Sequence, residues 1–493
     1  MQTIDPSTQA QSATFDMEDW RGGYRSQPEE FAYWIEEIEG EIPQELTGTL
    51  FRVGPGLLDI NGYPIKHPFD GDGMVNAIAI KNGRAFYSNR FVKTAGYVAE
   101  KEAGKPLYRG VFGTQKPGGW LANAFDLRLK NIANTNILYW GDRLLALWEA
   151  AEPHRLDPTT LDTLGLDNLW GAIAPGDSFT AHPHIDPAGA DGHPRLVGFS
   201  VKPGLSSTIT VMEFTSDGIL AKKRSHTTPG FSFIHDFAIT PSYAIFFQNP
   251  VSFNPMPFVL GMKGAGECVD FQADQPTKIL IIPRDGVSPV QTLETDPCFV
   301  FHFANAFEQD GKLWVDAVCY DRLFSEEDVA DYLNVNFDTV PQGQLKRFCI
   351  DLETQQVDSE TVISRCCEFP SLHPDKVGRN NRYLYIGAAH KPSGNAPLQA
   401  VLKRDFQTGE EQLWSIAPRG FTGEPVFVPR PGSTAEDDGW VLMLLYNAER
   451  CCSDLAILDG KDITRELARL HLSHHVPYGL HGSFTDNYFG PEG

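Results

Sequence analysis

Long apolar runs are missing from this 493-residue sequence. No stretch of about 18 apolar residues occurs, so nothing reads as a membrane-spanning helix. Positive charge is also in short supply: 41 lysines and arginines face 64 acidic residues, a formal net charge of −23. Phosphate backbones require a basic face, so the balance argues against nucleic acid as a partner. It equally argues against attachment to anionic lipid by charge alone. Cysteine is absent before Cys268. The eight present end at Cys452 and form no CxxC, although Cys366-Cys367 and Cys451-Cys452 are adjacent. That usage points to reduced, mostly buried thiols in a cytoplasmic protein. The opening MQTIDPSTQAQSATF lacks the basic and apolar regions of a secretory leader and the Arg-rich character of a transit peptide. Helical periodicity is scarce; SEEDVADYL (325–333) and KDITRELARL (461–470) are the best candidates.

What the chain has in quantity is turns, with 45 glycines and 35 prolines. Short apolar runs recur between them, as in AIAIKNGRAFYSNRFV, NILYWGDRLLALWE and KLWVDAVCYD. Several are two β-rich runs joined by Asn-Gly or Gly-Asp, the signature of tight hairpins. Residues 1–18 read as a disordered tail and residues 19–493 as one all-β domain. Repeated hairpins suit a ring of small sheets around an axis, although no clean repeat sets the number of blades and an array of β-sandwiches fits the same pattern.

Fourteen histidines are available. His154, His193 and His226 sit in polar, turn-rich text and read as surface residues. Four others lie in or beside apolar runs: His182 (SFTAHPHIDP), His235 (GFSFIHDFAI), His302 (CFVFHFANAF) and His481 (PYGLHGSF). One such histidine is ordinarily a satisfied core residue. Four buried imidazoles are costly unless each nitrogen is bonded, and one shared metal would satisfy four nitrogens together. Imidazole suits zinc, copper, iron and nickel, and the missing cysteine or clustered ligand pairs argue against a structural zinc site. Metal-bound histidines commonly donate their second N–H to a carboxylate. Glu149 (LLALWEAAEP), Glu368 (RCCEFP) and Glu424 (GFTGEPVFVP) stand in contexts that suit such acceptors. Trp148, Phe233, Phe301, Phe303 and Phe369 flank these residues and are candidates to line an apolar cavity. Residues 118–125 and 249–266 carry Trp120, Leu121, Phe125, Phe253, Met256 and Phe258, which would form either a buried loop or an apolar rim that dips into a bilayer.

These stretches, together with GTLFRVGPGLLDINGYPIKHPFDGDGMV, NIANTNILYWGDRLLALWEAAEPHRLDP, SRCCEFP and YGLHGSF, resemble the carotenoid cleavage oxygenases, most closely their bacterial retinal-forming branch, from about Trp20 to Phe484. The resemblance implies a seven-bladed β-propeller capped on one face by loops and short helices. It implies Fe(II) on the axis, held by His182, His235, His302 and His481. Glu149 would then bond His235, Glu368 would bond His302 and Glu424 would bond His481, leaving His182 without a carboxylate. Thr135 resembles the residue whose methyl crowds one open iron position. Tyr24, Phe69, Phe112, Tyr320 and Leu398 join the expected tunnel lining. The implied reaction is O₂-dependent cleavage of an apocarotenoid at its 15,15′ bond to retinal and a second aldehyde. An isomerohydrolase and a non-catalytic carotenoid carrier are the alternatives on the same scaffold. The expected setting is cytoplasmic with peripheral membrane contact and no obligate protein partner.

Overall fold

The computed structural model describes residues 14–492 apart from 326, 327, 329 and 330. Among these residues, seven sheets form the blades of a β-propeller. The first blade pairs Ala32–Trp34, Arg84–Phe91, Gly73–Lys81 and Gly48–Pro55 with the closing strand Gly482–Thr485. Blades two to six are four-stranded meanders. They begin at Asn136–Trp140, His184–Asp186, Ala238–Ile239, Phe299–Gln309 and Cys367–Ser371. The seventh is built from Gly420–Thr422 and Val426–Pro429, through Gly439–Asn447, Cys452–Asp459 and Glu466–His471, to Ile38–Gly40. The ring is closed twice by segments distant in sequence. Arg52 pairs with Gly482, and Ile38 pairs with Leu470.

Apolar residues cover both faces of most strands because each blade is sandwiched by two others. In YAIFFQ (243–248), Ala244 and Phe246 pack toward the third blade, and Ile245 and Phe247 pack toward the fifth. The period-2 geometry of a strand thus turns one continuous apolar run into two interfaces. The hairpins turn where Asn-Gly and Gly-Asp expect them. Asn82 (φ 53°) and Gly83 (φ 70°) link the paired residues Lys81 and Arg84, and Gly141 and Asp142 do the same between Trp140 and Arg143. Both central residues take the left-handed backbone that a type I′ turn demands.

Some local expectations fail, and one lies partly outside the described residues. KDITRELARL yields no helix: Glu466–His471 is a strand, held between Cys452–Asp459 and Ile38–Gly40, and sheet pairing overrides its helical propensity. SEEDVADYL lies partly outside the described residues. The expected tail falls outside them up to residue 13, but Phe15 packs edge-on to Phe337 and a helix starts at Met17, capped by Asp16, so the ordered cap begins earlier than composition suggested. His154 is no surface residue either. It is 4 % exposed, paired between Ala146 and Leu166 in the second blade. All eight cysteines are free, five of them buried.

Candidate metal centre

Four of the seven blades contribute the predicted histidines, and the other three contribute the predicted glutamates. His182 and His235 stand two and three residues ahead of the first strands of blades three and four, and His302 lies within that of blade five. His481 immediately precedes the closing strand of blade one. Glu149 follows the second strand of blade two, Glu368 lies in the first strand of blade six, and Glu424 sits between the two inner segments of blade seven. Inner strands converge on the axis, which is how residues 53 to 299 positions apart come to share one site. One nitrogen from each histidine lies within 4.8 Å of the others. The Nε2 atoms of His182 and His235 are 2.9 Å apart. Two ligands at right angles on an ion about 2.1 Å from each would stand roughly 3 Å apart.

The outer nitrogens are occupied. Nδ1 of His235 lies 2.8 Å from Glu149 Oε1, Nδ1 of His302 lies 2.6 Å from Glu368 Oε2, and Nδ1 of His481 lies 2.8 Å from Glu424 Oε1. These contacts turn the Nε2 atoms inward. The Nε2 of His302 is buried with no hydrogen-bond partner. A buried orphan nitrogen facing three more imidazoles is what a metal would satisfy. Burial alone would raise the Glu368 carboxyl, but His302 outweighs it and holds the group below its ordinary value. Glu149 is lowered against the same burial by His235, and Glu424 by Arg52 and His481. His182 has no carboxylate. Burial and the three neighbouring histidines push it well below the ordinary histidine range and keep it neutral, the form that ligates. Its backbone N–H donates to Thr180 Oγ1 at 2.9 Å.

A β-bulge builds the sixth-blade corner. The register shifts between Glu368 and Pro370, and Phe369 has φ 59°. Successive residues of a regular strand point to opposite faces, whereas here Glu368 reaches His302 while the Phe369 ring lies 5.6 Å from His302 and 5.2 Å from His481. A left-handed phenylalanine is strained, and such strain collects at functional sites. Thr135 accepts the His481 N–H on its carbonyl at 3.1 Å, and its hydroxyl is 3.5 Å from Glu149.

An apolar cavity of about 360 Å³ adjoins this centre, with Arg52, Glu368, Phe369 and Leu480 among its lining but none of the four histidines. Of the expected lining it contains Tyr24, Phe69, Tyr320, Phe369 and Leu398. Phe112 stands at its edge against Phe69 and His67. Phe301 packs on His235 and Tyr320 without lining it, and Phe233 packs on Phe299. Phe303 is core: its ring meets Phe247 between blades four and five. Trp148 borders a separate, much smaller cavity beside Asp70, Glu100 and Lys130. Tyr320 does more than line the cavity, since its hydroxyl donates to Glu368 Oε1 at 2.8 Å. The sequence reading missed Arg52, whose guanidinium donates to Glu424 and to the Leu480 carbonyl. The signal was an arginine inside the apolar run GTLFRVGPG, since a buried charge needs a partner.

Beyond the cap, the short helices Gly119–Asn123 and Met256–Val259 pack together, joined by the Phe125 N–H to the Val259 carbonyl. They expose Trp120, Leu121, Phe125, Met256 and Met262, while Phe258 turns inward. No helix among the described residues is long and apolar enough to cross a membrane.

Comparison with known proteins agrees with this geometry. The chain is 54% identical over 489 residues to the apocarotenoid-15,15′-oxygenase of Synechocystis, covering 98% of this chain and all of that protein. It is 30% identical over 474 residues to carotenoid cleavage oxygenase 1 of Neurospora crassa, covering 91% of this chain and 87% of that one. The crystal structure of cobalt-substituted Synechocystis ACO superposes with a TM-score of 0.94 at 54% identity, over 96% of this chain and 99% of that one. The model of the retinal pigment epithelial membrane protein (RPE65) family matches residues 24–486, and the chain belongs to that family, the carotenoid cleavage oxygenases.

Proposed function

We propose that this chain is a non-haem Fe(II) oxygenase that cuts the 15,15′ double bond of an apocarotenal or apocarotenol with O₂, giving retinal and a second aldehyde. The observation that carries the reading is the buried, unpartnered Nε2 of His302, converging with His182, His235 and His481 beside an apolar cavity that Glu368 and Phe369 line. Four imidazoles with no thiolate among them suit iron. Bound iron supplies the activation of O₂; the protein supplies position and exclusion of water.

In this reading Glu149, Glu368 and Glu424 hold the outer N–H of three ligands, fixing ring orientation and raising donor strength. The Thr135 side chain narrows one flank of the centre. Phe369 leans over two ligand rings, and Tyr24, Phe69, Tyr320 and Leu398 grip a stiff polyene along the cavity, so that one double bond rests beside the four nitrogens. The test is anaerobic loading with Fe(II), then β-apo-8′-carotenal under ¹⁸O-labelled O₂. Retinal and a dialdehyde carrying label are the expected products. Unchanged pigment under air would count for a carrier, and conversion of a separately supplied retinyl ester to retinol without O₂ uptake for the isomerohydrolase.

The same proposal places the enzyme in the cytoplasm with peripheral membrane contact through the apolar rim. Trp120, Leu121 and Phe125 are each more than half exposed, and clustered exposed apolar residues suit insertion into a bilayer. A Trp120→Glu/Phe125→Glu double variant should lose co-sedimentation with neutral phosphatidylcholine vesicles while still cleaving detergent-dispersed substrate. Full vesicle binding by that variant would sink the assignment.

A further inference from the structure

Arg52 is the one cation, among the described residues, that bonds any of the three glutamates of the centre. It is 5 % exposed, on the strand Gly48–Pro55, and is among the residues that line the cavity. One arm donates to Glu424 Oε2; the other donates to the carbonyl of Leu480, the residue before His481, at 2.9 Å. The three carboxylates are therefore unequal. Glu424 accepts from a guanidinium, His481 and the Gly482 N–H. Glu368 accepts from His302, the neutral Tyr320 hydroxyl and the Phe369 N–H. Glu149 has the His235 contact and a long one to Thr135.

We propose that Arg52 sets the oxidation-state preference of the centre by neutralising Glu424, so that bound iron is held in the ferrous form. The inference rests on the iron reading above. Ligating imidazoles contribute no charge, so the ion sits among carboxylates in excess, and the guanidinium reduces that excess. Removing it makes a buried site, where charge is poorly screened, more negative, which favours the ferric ion over the ferrous one. Asp236, next to His235, does not offset the loss. It is a fourth carboxylate, accepting the Phe237 and Phe303 N–H groups and lying 3.1 Å from His184.

The experiment uses the full chain loaded anaerobically with Fe(II), with iron per chain measured first. A wild-type chain that takes up no iron overturns the iron reading, and that failure is separate from the test of Arg52. The midpoint potential is then titrated with redox mediators, following the ferric electron paramagnetic resonance signal. Arg52→Met should raise the ferric-to-ferrous ratio at a fixed potential about tenfold, a drop of about 59 mV for a one-electron couple. Arg52→Lys should stay near wild type, and Glu424→Gln should shift the opposite way. The double variant Arg52→Met/Glu424→Gln should return toward wild type, an outcome a purely structural arginine would not produce. A wild-type potential in Arg52→Met, or a double variant no closer to wild type than the single one, overturns the proposal. Should Arg52→Met fail to hold iron, Glu424→Gln decides alone: a lower ferric ratio supports the role and an unchanged one overturns it.

Discussion

The His302 and His182 corners of the centre are built on different plans. His302 sits inside a strand, and its partner Glu368 takes three donors: His302, the Tyr320 hydroxyl and the Phe369 N–H. His182 lies outside any strand, has no carboxylate, and is fixed through its backbone N–H to the Thr180 hydroxyl. Three ligands are thus oriented by charge and one by the path of its chain. Negative charge gathers on the Glu149, Glu368 and Glu424 sides, leaving the His182 side neutral.

Removing a ligand should give the largest effect and treat the corners alike. His302→Ala takes away one of four nitrogens and leaves the Glu368 carboxylate buried without its imidazole. Iron content should fall to near zero by elemental analysis and cleavage below detection. The protein should lose about 3 kcal/mol in denaturant unfolding, the order expected when a buried carboxylate loses a partner. His182→Ala should lose iron as completely but cost less stability, because it orphans no carboxylate. Equal stability losses would erase the distinction between the corners.

The next effect isolates the carboxylate. Glu368→Gln keeps size and can keep its oxygen on His302 and Phe369, but its amide N–H then faces the Tyr320 hydroxyl, which must reverse from donor to acceptor. Iron affinity, measured by chelator competition, should fall about 100-fold, the upper end for such outer partners. Glu149→Gln should cost about tenfold, because a glutamine can turn its oxygen to His235 and forfeit only the 3.5 Å contact with Thr135. If the two variants lose the same affinity, the number of donors per carboxylate is not what ranks them.

The parts legible in the sequence are those where chemistry restricts choice. Continuous apolar runs with Asn-Gly turns announce strands buried on both faces, and four histidines in such runs announce a shared site. The pairing of glutamates with histidines came from family likeness, and the contacts match it. Side-chain direction was harder. Phe303 was expected in the cavity because it adjoins His302, yet adjacent strand residues face opposite ways, so His302 on the axis sends Phe303 into the blade interface. Phe369 escapes the same rule through its bulge, a feature of pairing rather than composition. Trp148 failed for a like reason: it adjoins Glu149 in sequence but turns to the Lys130 pocket.

The smallest expected effect tests the weaker corner directly. Thr180→Val keeps the shape of the side chain and the ladder bond from its own N–H to the Phe199 carbonyl, but removes the hydroxyl that accepts from His182. One neutral hydrogen bond contributes about 1 kcal/mol, and a tenfold change in affinity corresponds to about 1.4 kcal/mol. Iron affinity should therefore fall roughly fivefold, well short of Glu368→Gln. A loss as large as 100-fold would mean that His182 depends on its single backbone contact as heavily as His302 depends on its carboxylate. The chain path through Ala181 would then be no substitute for charge, and the two corners would be equally demanding by different means.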